Sequence, residues 1–224
     1  MAHDPRSILS GTNNKLAFDR LLFFSDAVFA IAITLLALEL RLPAGVEGGA
    51  EGARLWLALA AMWPKYLSFL ISFLVIGLYW QGHHRMFRLI NRFDDRLLWL
   101  NLFFLMCIIV VPFPTSVLGE HANEPVAAAF YACVLALTGL LQLAMWLYAT
   151  AGRRLVEVSL DDMQYTYLRR SVAVRMVIAP LVFLLSTAAA RASPIWAELS
   201  WILIAPALAV ADRIGRHARE KESK

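Results

Sequence analysis

Asp26 stands inside an apolar run, RLLFFSDAVFAIAITLLALELRL from Arg20 to Leu42, in which only Ser25, Asp26 and Thr34 are polar between Leu21 and Leu38. A carboxylate at bilayer depth costs about 2.5–3.5 kcal/mol, so it requires a polar partner or water beside it. Arg20 lies about 240° away around a helix and is poorly placed to pair with it. The partners must come from another helix. Trp80 and His83, at the end of the next apolar run, fall at the same depth as the start of the first, which predicts a polar cluster of Arg20, Ser25, Asp26, Trp80 and His83 near one membrane surface. Two readings stay open for Asp26: a functional acid, or an interhelical tie worth about 1 kcal/mol.

Other chemistry finds less support. His83 and His84 are adjacent, so on a helix they point about 100° apart, and no third metal ligand accompanies them. Ser25, Ser68, Ser72, Ser116 and Ser186 lie in apolar runs without a Gly-x-Ser-x-Gly context, which argues against a nucleophile and an intramembrane enzyme. Cys107 and Cys133 each sit in an apolar run, which argues against a disulfide framework or a thiolate metal site. No metal and no cofactor is expected. Glu39 and Arg41 fit a headgroup position, Asp94 and Asp95 fit the N-terminus of the third helix, and Asn101 is a candidate donor extending the cluster.

The elements that must hold these residues are membrane spans. With 60% hydrophobic residues among 224 and a mean hydropathy of +0.61, the chain is more apolar than soluble domains, which reach about 45–50%. The stretch from Leu21 to Leu38 covers about 27 Å at 1.5 Å per residue, enough to cross the hydrocarbon core. It has no small-residue cleavage site and reads as a retained helix. Six spans are expected, at about 18–41, 63–81, 97–118, 125–150, 168–190 and 194–212, giving one membrane domain over 18–212 between polar tails at 1–17 and 213–224. Pro112 and Pro114 should kink or end the third. Arg85, Arg88, Arg92 and Arg96, then Arg153, Arg154, Arg169 and Arg170, fall on the side of both tails, while Arg41, Arg54, Lys65 and Arg191 fall opposite. By the positive-inside rule both termini are cytoplasmic. The net charge of +4 is thereby explained by orientation, without nucleic acid.

On the first helix, Ile31, Leu35 and Leu38 fall within about 60° of one another, edged by Thr34, with Asp26 on the far side. Geometry alone allows this stripe to be ordinary bundle packing or the lining of a pathway.

The pattern Arg20-x-x-x-Phe24-Ser25-Asp26, continued by AVFAIAITLL to Leu36, resembles the signature first helix of the transmembrane protein 175 potassium channel family, in its prokaryotic branch. Trp80-x-x-His83 with Phe87, NRFDDRLLWLNL from Asn91 to Leu102, and PFPT from Pro112 to Thr115 extend the likeness over the first three helices. The resemblance implies an all-α integral membrane protein with helix one lining the central pore of a homotetramer, and no TVGYG filter. It implies passive conduction of potassium as the permeant ion in a bacterial inner membrane. By position it makes Ile31, Leu35 and Leu38 the constriction, Thr34 the selectivity residue, and Arg20, Asp26 and His83 part of a network for gating or assembly. The competing reading is a proton-coupled secondary transporter with Asp26 and His83 as its relay, although transporters usually show inverted repeats and broken helices, and the sequence shows no sign of either.

Overall fold

The computed structural model describes residues 5–42, 52–156, 159–190 and 200–201. Among them α-helix is the dominant element, and five helical stretches are long and apolar enough to cross a membrane: Leu16–Leu38, Trp63–Phe87, Asp95–Glu120, Pro125–Arg153 and Asp162–Ala190. The expected sixth span at 194–212 lies outside the described residues, except that Ser200 and Trp201 are helical.

Helix α1 covers Pro5–Leu38 and so begins well before the expected 18. Once a helix is nucleated, each added residue costs little, and the polar segment after Pro5 contains no further proline to stop it. It ends in a tightened turn, with Glu39 N–H on Leu36 O at 3.3 Å and the Arg41 side chain donating to Leu38 O at 3.1 Å. The short α2 (Gly52–Ala61) is separated from α3 (Trp63–Phe87) at Met62. Pro64 explains the break, because a residue without an N–H is tolerated in the first turn of a helix and not in its interior.

The third span is two helices, α4 (Asp95–Val110) and α5 (Pro112–Glu120). Pro112 has no N–H for the Ile108 carbonyl, which takes the Val111 N–H at 3.2 Å instead. Asp94 caps α4 from an extended backbone, accepting from Leu97 N–H at 2.9 Å. Helix α6 spans Pro125–Thr150, as its Pro-initiated start suggests, and runs into a 3-10 turn at Ala151–Arg153, where Gly152 adopts φ +57°. Helix α7 covers Asp162–Ala190 and starts before the expected 168, because Asp161 caps it by accepting from Gln164 N–H at 2.7 Å.

Helix α1 packs on α3, α4 and α5, while α6 joins α4 and α5 to α7 on the other side of the bundle. In lipid the apolar side chains gain nothing by leaving water, so close packing and interhelical hydrogen bonds, averaging about 0.6 kcal/mol each, must hold such helices together. Several of those bonds are buried. Ser72 Oγ meets Thr115 Oγ1 at 2.8 Å and Tyr131 Oη at 2.9 Å, tying α3 to α5 and α6. Tyr79 O–H donates to Leu135 O at 2.6 Å, and Gln142 Nε2 donates to Tyr79 O at 2.9 Å. Small residues allow the closest approach: a Cβ on Gly139 would lie 2.4 Å from Pro180 Cγ, so glycine is what lets α6 and α7 come this close at that position.

Candidate functional site on the first helix

One flank of α1 is buried by Val28, Phe29, Ala32 and Leu36. The opposite flank is exposed among the described residues. Ile31 is 56% exposed and Leu38 60% exposed, Thr34 is exposed, and Leu35 is half-buried at the edge of the packed face. The Thr34 hydroxyl donates to Ile31 O at 2.8 Å. That back-bond consumes its proton and leaves the oxygen lone pairs available on the free flank.

The polar residues of the expected cluster divide into two groups. In the first, Trp80 Nε1–H donates to Asp26 Oδ1 at 2.9 Å, and the indole lies near-parallel to the His84 ring, 5.8 Å away. Both Asp26 and Trp80 are exposed within the single chain. In the second group everything is buried. His83 Nε2 and Asn101 Oδ1 are 2.9 Å apart, Asn101 Nδ2 donates to Ser25 Oγ at 3.1 Å, and the Ser25 hydroxyl donates to Leu21 O at 2.9 Å. The His83 ring is enclosed by Phe104, stacked at 5.6 Å, Phe87 at 4.4 Å and Phe29 edge-on at 5.6 Å.

Arg20 is exposed and joins neither group: among the described residues it makes no hydrogen bond or ion pair. Asp26 and His83, side by side in depth, bond different partners, so no direct proton path connects them in this arrangement. The sequence pointed to Asn101 as a donor extending the cluster, and it does so by linking His83 on α3 to Ser25 on α1. The Ser72, Thr115 and Tyr131 hydroxyl group and the Tyr79–Gln142 tie were missed. Their signal was present as polar residues in the middle of apolar runs, without any indication of which helices meet.

Apolar helices of spanning length, bonded to one another by buried polar side chains, define a polytopic α-helical membrane protein. The family model described as "Endosomal/lysosomal potassium channel TMEM175" matches residues 20–112, the stretch that contains both polar groups. A potassium channel of Streptomyces collinus is 43% identical over 143 residues, covering 62% of this chain and 67% of that protein. A potassium channel of Chamaesiphon minutus is 40% identical over 141 residues, 62% of this chain and 68% of that one. The crystal structure of a lysosomal potassium-selective channel TMEM175 homolog from Chamaesiphon minutus superposes with a TM-score of 0.72 at 31% identity, over 87% of this chain and 97% of the other. The chain belongs to the TMEM175 family, whose members are ion channels and not enzymes.

Proposed function

We propose that the chain is one six-span subunit of a homotetrameric, potassium-permeable channel in a bacterial plasma membrane, with both termini cytoplasmic and polar tails at 1–17 and 213–224. Ions pass through a central pore lined by α1. The observation that carries this reading is the free flank of α1: large aliphatic side chains at Ile31 and Leu38 more than half exposed, beside a polar hydroxyl at Thr34, opposite a fully packed face. Four such flanks around an axis form a closed ring, the arrangement that cyclic symmetry favours. Rings of Ile31, Leu35 and Leu38 constrict it, because a cation entering a dry aliphatic ring must shed water that no wall group replaces.

Thr34 sets the preference for potassium. Its outward lone pairs replace part of a hydration shell that potassium gives up more readily than sodium. Ser25, Asp26, Trp80 and His83 hold α1 in register on α3 and α4. Family membership and the potassium channels among its relatives support conduction. The bonding of Asp26 and His83 to different partners speaks against the proton-coupled transporter. Reconstitution into liposomes tests the proposal: stepwise single-channel currents and potassium flux without a counter-ion are expected, and strictly coupled exchange without current steps would refute it.

A further inference from the structure

The loop of residues 88–94 between α3 and α4 is pinned to its neighbours far more firmly than a connection requires. Ile90 forms an isolated antiparallel bridge with Val156, and Asn91 N–H donates to Leu155 O at 3.0 Å, so the loop is paired with the segment that follows α6. Ile90, Leu155 and Val156 are all buried. The Phe93 ring stands 6.0 Å from Phe18 of α1, which in turn stands 6.0 Å from Phe87 of α3. Asp94 caps α4 and also accepts from the Tyr148 O–H of α6, while Arg154 Nη1 donates to the same hydroxyl oxygen at 2.9 Å. The segment after α6 is itself tied to α7. Arg153 donates to Asp162 Oδ1 at 3.0 Å and lies 4.5 Å over the Tyr165 ring, and Tyr165 O–H donates to Thr150 O at 2.7 Å. Arg153 takes φ +56°, a left-handed backbone that a residue with a side chain rarely adopts unless its surroundings hold it there.

We propose that this loop is a clasp through which α6 and α7 restrain α1, with Phe93, Asp94 and Tyr148 as its positioning residues. The inference rests on the reading of α1 as the pore lining and adds what keeps that lining in its resting place. Helix α1 packs on α3, α4 and α5, with α6 and α7 across the bundle, so an influence of α7 on α1 passes through a shared neighbour. The loop supplies one in a few contacts: Tyr148 to Asp94, the adjacent Phe93, then Phe18 on α1. A second branch runs through α4, whose first turn Asp94 caps and whose Asn101 bonds Ser25 of α1. Contiguous packing and hydrogen bonds of this kind carry coupling when the element between the sites has two arrangements. Here these are the loop docked on Leu155 and Val156 and the loop released from them. Phe18 lies about 20 Å from Ile31 along α1 at 1.5 Å per residue. A restraint at that end opposes the movement of α1 that widening the rings of Ile31, Leu35 and Leu38 requires, so release of the clasp raises resting conduction.

The test is potassium flux through liposomes that hold the full chain with the clasp loosened, then locked. Tyr148→Phe keeps the ring and removes the donor to Asp94, and is expected to raise resting flux about fivefold. Phe93→Ala loosens the other arm and is expected to act in the same direction, so a folding failure of one variant leaves the other readable. The lock is Ile90→Cys with Val156→Cys. Residues facing each other across an antiparallel pair have Cα atoms about 4.5–5.5 Å apart, within the reach of a disulfide. Added to Tyr148→Phe, the oxidised pair is expected to return flux to the wild-type level, and reduction to release it again. Ile90→Cys alone, with Cys107 and Cys133 still present, is the control and should give no such redox response. A hydroxyl that merely stabilised the fold would lower the thermal midpoint without this reversal. Wild-type flux in both loosened variants, a raised flux that oxidation leaves unchanged, or failure of the pair to form a disulfide would each overturn the clasp while leaving the pore reading intact. Failure of the pore reading shows separately, as equal flux in Ile31→Asn and wild type, and would overturn the clasp with it.

Discussion

The side-chain amide of Asn101 donates to Ser25 Oγ at 3.1 Å, and both residues are completely buried. Because its nitrogen is committed to Ser25, its oxygen is the acceptor for His83, which must therefore carry its proton on Nε2. The donors then run in one direction, from His83 through Asn101 and Ser25 to the Leu21 carbonyl. That polarised chain joins α3, α4 and α1 and ends on a backbone oxygen. It is suited to fixing α1 and unsuited to passing a proton onward.

Asn101→Leu should therefore destabilise the protein by more than the loss of one bond. Burying the His83 N–H without an acceptor costs about 1–3 kcal/mol, against about 0.6 kcal/mol for an average interhelical bond in lipid. A fall in the thermal midpoint of the detergent-solubilised assembly larger than that of Ser25→Ala is expected. Equal shifts for the two variants would mean that His83 finds another partner.

Much of this arrangement was legible in the sequence as depth and little of it as direction. Hydropathy and the prolines located the third and fourth spans closely, because Pro112 and Pro125 act on the backbone locally. The early starts of α1 and α7 were missed, the second because the Asp161 cap lies in polar sequence that hydropathy does not score. Membrane depth brought Ser25, Asp26, Trp80 and His83 to one level, yet depth fixes no azimuth. His83 follows Trp80 by three positions, and that rotation puts one at the open Asp26 and the other among buried phenylalanines. The partners of α6, including Gly139 against Pro180, depend on which helices touch, and a single sequence carries no such information.

Gly139→Ala should separate α6 from α7. Its Cβ would meet Pro180 Cγ at 2.4 Å, Pro180 Cδ at 2.9 Å and Tyr79 Oη at 3.0 Å, and a proline ring in a helix has little room to yield. Overpacking of this kind costs about 1–3 kcal/mol. Gly77→Ala, where a new Cβ finds nothing within 4 Å, is the control and should leave the thermal midpoint unchanged or raised.

Asp94 lies just outside the third span. Burial pushes its carboxyl up, but the hydrogen bonds from Tyr148 and the Leu97 amide, with Arg154 and Arg96 nearby, outweigh that and hold it below the usual carboxylate range. A lowered folded value means that its stabilisation is complete above the ordinary unfolded value of about 3.9 and is lost as pH falls through the folded one. The thermal midpoint of wild type should exceed that of Asp94→Asn by a constant margin at neutral pH, and the margin should shrink in the acid range below that value. A margin independent of pH down to complete protonation would show that the charge contributes nothing.

Thr34→Ala should reduce the preference for potassium while conductance persists. Losing a polar contact on the order of 1 kcal/mol corresponds to about a fivefold change in permeability ratio. Reversal potentials in mixed potassium and sodium read this directly. Unchanged values would move Thr34 from the ion path to a helix contact, with its back-bond to Ile31 O as its sole role.

The most direct measurement is resting potassium flux through Ile31→Asn in liposomes, compared with wild type in assemblies of equal size. Asparagine keeps the approximate bulk of isoleucine and lets water wet the ring, so if Ile31 forms the barrier, lowering it by about 1.4 kcal/mol gives a tenfold rise in flux. The account predicts an increase of at least that order, with a smaller one for Leu35→Ala. Equal flux in wild type and Ile31→Asn would contradict a pore lined by α1.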